Sequence, residues 1–273
     1  MMVDQDVLSD TWVPPITTIP LKLVKNSTRL CYSSAIARQA AAQQQRPVFL
    51  LASQIAAAWN DRRNQPEFWR PLPLPAAALP HLNIFALSTG LIQIELTDPA
   101  IATWLNFLLD TALPPPVSCL PAAALSLFPA QHAHARCCSL LRLAHEHQLI
   151  CLKAPLADPM QWGLLSPEPI PWLTPNGQLQ GNCTIDLALI QTLFTALDRI
   201  WRSPTQSRST IFSLAAAITQ AFHTFHSAHP LFGNPNAAAQ PRIQTQLGLL
   251  LITQRLLRWL LEDWLQVIAP IEL

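Results

Sequence analysis

Hydrophobic residues recur with a helical period over most of this chain, and the interruptions mark its joints. The clearest run is Gln131-His132-Ala133-His134-Ala135-Arg136-Cys137-Cys138-Ser139-Leu140-Leu141-Arg142-Leu143-Ala144, which lacks Gly and Pro and is rich in Ala and Leu. That composition predicts a helix. Ala133, Cys137, Leu140, Leu141 and Ala144 fall on one stripe, the face expected to be buried. His134, Cys138, Arg142 and His145 line a second, polar stripe, and His132, Arg136 and Ser139 a third. The same period predicts helices from Ser33 with a serine hydroxyl as cap, from Pro47 to Trp59, and from Asp98 or Pro99 to Leu109. Further helices are expected after Thr184, over 211–225 and over 243–268. Two alternating runs, 82–87 and 91–96, flank Ser88-Thr89-Gly90 and predict a hairpin.

Between these elements lie Pro-rich stretches at 66–80 and 111–127, an insertion at 154–182 whose Trp162 and Trp172 point to packing on the helices, and a turn-rich loop at 229–241. Residues 1–20 show no helical period and read as a tail. The fold class is therefore mainly α: a small N-terminal α+β domain over 21–110, a linker over 111–127, and an all-α bundle over 128–273.

Composition narrows the function. Of 273 residues, 50% are apolar and 12% charged, the balance of a folded globular protein. The net charge is +1, and only Lys22, Lys25 and Lys153 are lysines. A general RNA binder would carry a broad basic footprint, so any nucleic-acid contact here must be local. The six cysteines form no CxxC pair, and no signal peptide precedes them, which fits reduced thiols in a cytoplasmic protein. The apolar stretch 246–268 is broken by Arg255, Arg258, Glu262 and Asp263 and reads as a core helix, with Trp259 and Trp264 in the core, not as a membrane span.

His132, His134, Cys137, Cys138, His145 and His147 raise the option of a metal site. His134 and Cys138 are one turn apart, but His145 lies ~16 Å further along the helix. Zinc wants four close ligands, so no metal and no cofactor is expected. No nucleophile–base–orienter arrangement is visible either.

The Gln131 to Arg142 stretch resembles the opening helix of the anticodon-binding domain of arginyl-tRNA synthetases, the helical bundle named for its Asp-Ala-Leu-Arg motif, with His132 in place of an aromatic residue. Phe222-His223-Thr224-Phe225-His226 is similar to the family's Phe-Asn-x-Phe-Tyr, and Ala269-Pro270-Ile271-Glu272-Leu273 to its Ala-Pro-Glu-x-Met ending. Arg255 stands at the offset of an arginine in the family's last helix, whereas Leu247 and Gly248 replace its Arg-Leu pair. In the N-terminal part, Ser33-Ser34-Ala35-Ile36-Ala37, the helix from Pro47 and the strand around Gln93 resemble the family's additional domain, which grips the tRNA elbow.

The catalytic domain that separates these two modules in a synthetase is missing. The 111–127 stretch occupies its place and spans at most ~50 Å when extended. No His-x-Gly-His step and no Lys-Met-Ser-Lys loop occurs, so nothing supplies the charge stabilisation that adenylate formation needs. The resemblance implies a noncatalytic binder of tRNA, arginine tRNA among the candidates, or of another structured RNA. His132, Arg136, Arg142, His223, His226, Arg255, Leu273 and Gln93 are the expected contacts. Arg136 has an alternative role, tying helices through a buried carboxylate. The competing expectation is a protein-interaction module, or an auxiliary subunit docking on an aminoacyl-tRNA synthetase, that has given up RNA.

Overall fold

Short strands pair around a hairpin in the first part of the chain, and helices of 13 to 21 residues make up most of the rest, in a computed structural model of the protein. The structure describes residues 20–24, 29–63, 76–116, 127–153, 162–180, 183–203, 205–229 and 239–273. The expected tail, all but its last residue, and large parts of the Pro-rich stretches, including 117–126 of the linker, lie outside them. The chain divides into two units, Met1–Thr97 and Asp98–Leu273.

The first unit runs β1 (Leu21–Leu23), β2 (Cys31–Ser34), α1 (Ile36–Gln44), α2 (Val48–Arg62), a 3-10 turn (Ala76–His81), β3 (Leu82–Ala86) and β4 (Ile92–Leu96). Its sheet has the order β1-β2-β4-β3 with each pair antiparallel. The expected hairpin forms, with Ile84 opposite Ile94 and Phe85 opposite Gln93. It turns at Gly90, where φ is +75° and a Cβ would strike Val48, so both backbone and space require glycine. Arg38 holds the turn by donating twice to the Thr89 carbonyl, at 3.2 and 2.7 Å.

Ser33 and Ser34, expected to open a helix, instead end β2. Ladder bonds to β1 and β4 claim their backbone, and the helix starts at Ile36, whose N–H donates to Ser34 Oγ at 3.3 Å. Alanines at 37, 52 and 56 pack with Ile84 and Ile92 in the core, small enough to let α1 and α2 lie close on the sheet.

The second unit holds α3 (Asp98–Asp110), α4 (Phe128–Glu146), a small hairpin of β5 (Cys151–Leu152) and β6 (Leu164–Ser166), α5 (Thr184–Arg202), α6 (Arg208–Ala228) and α7 (Gln240–Arg258), whose end widens into a π-helical turn at Trp259–Trp264. The units thus divide at Thr97/Asp98, not at 110, and α3 falls in the helical unit. Its last carbonyls are bonded there by Arg255, and its Asn106 accepts from Trp172 Nε1 at 2.7 Å. Ser207 caps α6, accepting from Thr210 N–H at 3.2 Å, and Pro241 sits in the first turn of α7, where no N–H is missed.

Helix α7 packs against α3, α4, α5 and α6. Residues 245–254 of it are all buried, Thr245, Gln246, Thr253 and Gln254 included, so it is enclosed all round in the manner of a central helix. Trp259 and Trp264 are core, as expected, and Trp162 and Trp172 of the insertion are buried as well. Among the described residues no helix is long and apolar enough to cross a membrane.

Gly248 lets the insertion approach α7: a Cβ there would lie 2.7 Å from Trp172 Cη2 and also meet Ile170 Cδ1. The tryptophan ring is rigid, fully buried and anchored on Asn106, so it cannot yield. Gly248→Ala is expected to lower unfolding stability by about 1–3 kcal/mol despite its better helix propensity. Urea denaturation checks this, and an unchanged or raised midpoint would contradict the close approach.

Candidate functional site

Helices α4 and α6 carry most of the expected contact residues, and their packing brings several together. His132 is exposed on α4, and its ring lies 6.2 Å from that of His223 on α6 at an interplanar angle of 27°. Phe128, one turn earlier on α4 and 59% exposed, lies 6.2 Å from His132. Phe128, His132 and His223 therefore form a run of three rings along the surface. His226, one turn after His223, stacks on buried Phe222 with centroids 5.7 Å apart and planes nearly parallel at 2°. Arg136 is exposed beside His226, close enough to depress its pKa, and makes no ion pair with any described carboxylate. The alternative of a buried tie is thus not what Arg136 does.

The C-terminal segment runs back along α4. Gln131 donates to the Ile268 carbonyl at 2.9 Å, and Arg142 donates to Ile271 O at 3.2 Å and pairs with Glu272 at 3.0 Å. Arg136, Arg142, Leu143, Glu146 and Glu272 line an open hollow on this side. Of the two arginines only Arg136 keeps its full charge unanswered, since Glu272 offsets Arg142. His223 and His226 have their pKa lowered, first by burial and then by neighbouring His132 for the one and Arg136 and His223 for the other. Both are neutral at pH 7. The face therefore carries aromatic and imidazole rings, His223 and His226 neutral among them, and the Arg136 guanidinium without a carboxylate partner among the described residues.

One expectation is corrected here. Arg255 is not on this face. Its guanidinium is largely buried and donates to the carbonyls of Leu108, Leu109 and Thr111, closing the C-terminal end of α3. Leu273, at the last position, is 69% exposed. Gln93, read as part of the N-terminal module, lies in the middle of the first unit's sheet, opposite Ser33 on β2 and Phe85 on β3.

The second, polar stripe of α4 is largely buried. His134 and Cys138 are fully enclosed, whereas Arg142 and His145 are half-buried. His134 Nδ1 donates to the Pro270 carbonyl at 2.8 Å, and its Nε2 accepts from Gln254 Nε2 at 2.9 Å. Only a neutral imidazole can do both. Burial lowers its pKa, with the Pro270 bond opposing in part. Burial also pushes the Cys138 thiol up to about 12 and the Cys137 thiol well above its usual value. Both thiols are therefore held protonated in this packing, with Cys138 beside the His134 ring.

A cluster that sequence reasoning overlooked lies elsewhere in the unit. Cys183 at the start of α5, Asp186 in its first turn and His229 just after α6 place their polar atoms within 4.8 Å of one another. The pair at 183 and 186 is short-range and visible in the sequence, but only the antiparallel packing of α5 and α6 brings His229 to it.

The class of protein these features define is a largely helical chain with a small four-stranded N-terminal sheet. Compared with protein-family models, curated proteins and solved structures, it matches none.

Arg255→Ala is expected to cost about 2–4 kcal/mol by stranding three carbonyls, read by denaturant unfolding. His134 gives stability a pH dependence of known sign. Its folded pKa lies below the ordinary 6.5, so the unfolded chain binds the extra proton first as pH falls. Its contribution is complete above 6.5 and is lost towards the lowered folded value, at up to ~1.4 kcal/mol per pH unit. Urea unfolding between about pH 7.5 and 5.5 should show this slope, and His134→Gln should flatten it.

Proposed function

We propose that the chain is a noncatalytic relative of arginyl-tRNA synthetases whose helical unit binds tRNA, or another structured RNA, by its unpaired bases. The observation that carries this reading is the surface run Phe128–His132–His223 beside the unpaired Arg136. Unpaired bases stack on aromatic and imidazole rings and on guanidinium planes, and such contacts need little net charge. A near-neutral face of this kind suits a loop whose bases are splayed out better than a duplex, whose recognition is dominated by phosphate. The noncatalytic part of the reading rests on the missing adenylate-handling motifs of the sequence.

A second reading, docking of a synthetase or another protein, is favoured by the apolar residues around the same face. Phe128, Leu143, Ile268, Ile271 and Leu273 are all exposed. Arg142, answered by Glu272, is not available there as a phosphate anchor.

Binding of the full chain to arginine tRNA and to bulk tRNA, at two salt concentrations, separates the readings. RNA recognition predicts a Kd on the order of micromolar with a shallow salt slope of about 1–2, because few phosphates can be neutralised. His132→Ala/His223→Ala should weaken it by about 1–3 kcal/mol for each base that loses its stacking partner. Affinity should rise from about pH 7.5 to 5.5 as His223 and His226 gain charge. Absence of binding at low salt, or binding untouched by these substitutions and by Arg136→Ala, would overturn the RNA reading and leave the protein-docking one.

A further inference from the structure

The cluster of Cys183, Asp186 and His229 is assembled from two helix ends. Cys183 is the residue that precedes α5, Asp186 lies in its first turn, and His229 closes α6, with its own N–H donating to the Phe225 carbonyl at 3.2 Å. Cys183 Sγ lies 3.1 Å from Asp186 Oδ2 and 3.7 Å from His229 Nε2, and that same nitrogen lies 2.7 Å from Asp186 Oδ1. Asp186 is 4% exposed and His229 6%.

Two features separate this arrangement from an ordinary buried pair. Thiol and carboxylate converge on one ring nitrogen, and one N–H cannot point to both. A nucleophile triad would use the two nitrogens of the imidazole separately, one for the thiol and one for the acid. Asp186 Oδ1 is also a buried oxygen that receives no aligned hydrogen bond, despite its closeness to Nε2. A stranded carboxylate oxygen is costly unless something positive occupies the space it faces.

We propose that these three side chains bind one divalent transition-metal ion, zinc by preference, through Cys183 Sγ, Asp186 and His229 Nε2. Bond lengths for sulfur, nitrogen and oxygen donors put the edges of a zinc tetrahedron at about 3.3–3.6 Å. The sulfur–nitrogen separation of 3.7 Å already fits, whereas the 3.1 Å from Sγ to Oδ2 and the 2.7 Å from Nε2 to Oδ1 must open by up to about 0.7 Å, which rotation of the helix-end side chains can supply. Thiolate and carboxylate cancel the dication, so the loaded cluster is neutral and its burial carries no net charge. The thiolate selects zinc over magnesium or calcium. Three protein ligands leave a fourth position for water or an outside donor. The ion staples the start of α5 to the end of α6, and α6 also carries His223 and His226. This assignment does not depend on the RNA reading.

The test uses the full chain, stripped with chelator and then titrated with cobalt and with zinc. One equivalent should bind, with the thiolate-to-cobalt charge-transfer band and the ligand-field bands of four-coordinate cobalt, and zinc should raise the thermal midpoint. Loss of a direct ligand in Cys183→Ser or Asp186→Asn should weaken binding by more than the roughly 10–100-fold that an outer partner costs. A second readout needs no variant: zinc should protect Cys183 from alkylation, scored by peptide mass, while half-buried Cys151 serves as the internal control. If cobalt binds without a charge-transfer band, or Cys183 alkylates at the same rate with and without zinc, the site does not exist.

Discussion

A helix enclosed by others must find a partner for every polar side chain it carries, and α7 sits under that constraint. Water cannot help at its interior positions, so several of its polar residues bond across to neighbouring segments. Thr253 satisfies itself on the Leu249 carbonyl at 2.7 Å, but Thr245 reaches the Pro171 carbonyl at 2.8 Å and so pins the insertion. Gln254 reaches His134, and His134 in turn holds the Pro270 carbonyl, which ties α4, α7 and the C-terminal segment together in one line of bonds. Arg255, next along the helix, closes α3. Gly248 leaves room for Trp172 to lie against the same helix. The placing of α3, α4, the insertion and the last residues around α7 follows from these polar ties as much as from apolar packing.

The helices were legible in the sequence because their apolar period is long. Pro47 marked its helix start, whereas the helices at Ser207 and Pro241 begin a few residues ahead of the expected 211 and 243, and the hairpin at Gly90 was legible from its alternation. Strands β1 and β2 were not, because they span three and four residues and lack a clean alternation, and their identity comes from pairing with a strand far along the chain. His134, Cys138 and Arg255 failed for a related reason. Polarity marks a surface position only when no internal partner exists, and here the partners are a glutamine 120 residues away and the carbonyls of another helix. Periodicity reports which residues share a face of a helix, whereas burial depends on what that face meets.

The candidate face illustrates the same limit from the other side. His132, Arg136, His223 and His226 were expected on one surface from resemblance alone, and α4 and α6 do bring them together. Their charge state could not be read from composition. Partial burial and mutual repulsion keep His223 and His226 neutral, and Glu272 answers Arg142. The surface offers flat rings in place of positive charge, so a net charge of +1 for the whole chain is consistent with a binding role that relies on stacking.

Both candidate sites converge on α6. His223 and His226 lie on its last two turns, and His229 ends it within reach of Cys183 and Asp186. A helix end is the part of a helix most prone to fray, because its final carbonyls lack intrahelical donors. A surface built from the last turns of α6 is only as ordered as that end. Stacking loses its advantage if the rings must be immobilised at each binding event, since the ordering entropy is then charged against the contact. An anchor at His229 fixes the terminus three residues beyond His226, so the order of the ring array and the integrity of the buried cluster are coupled through one turn of helix.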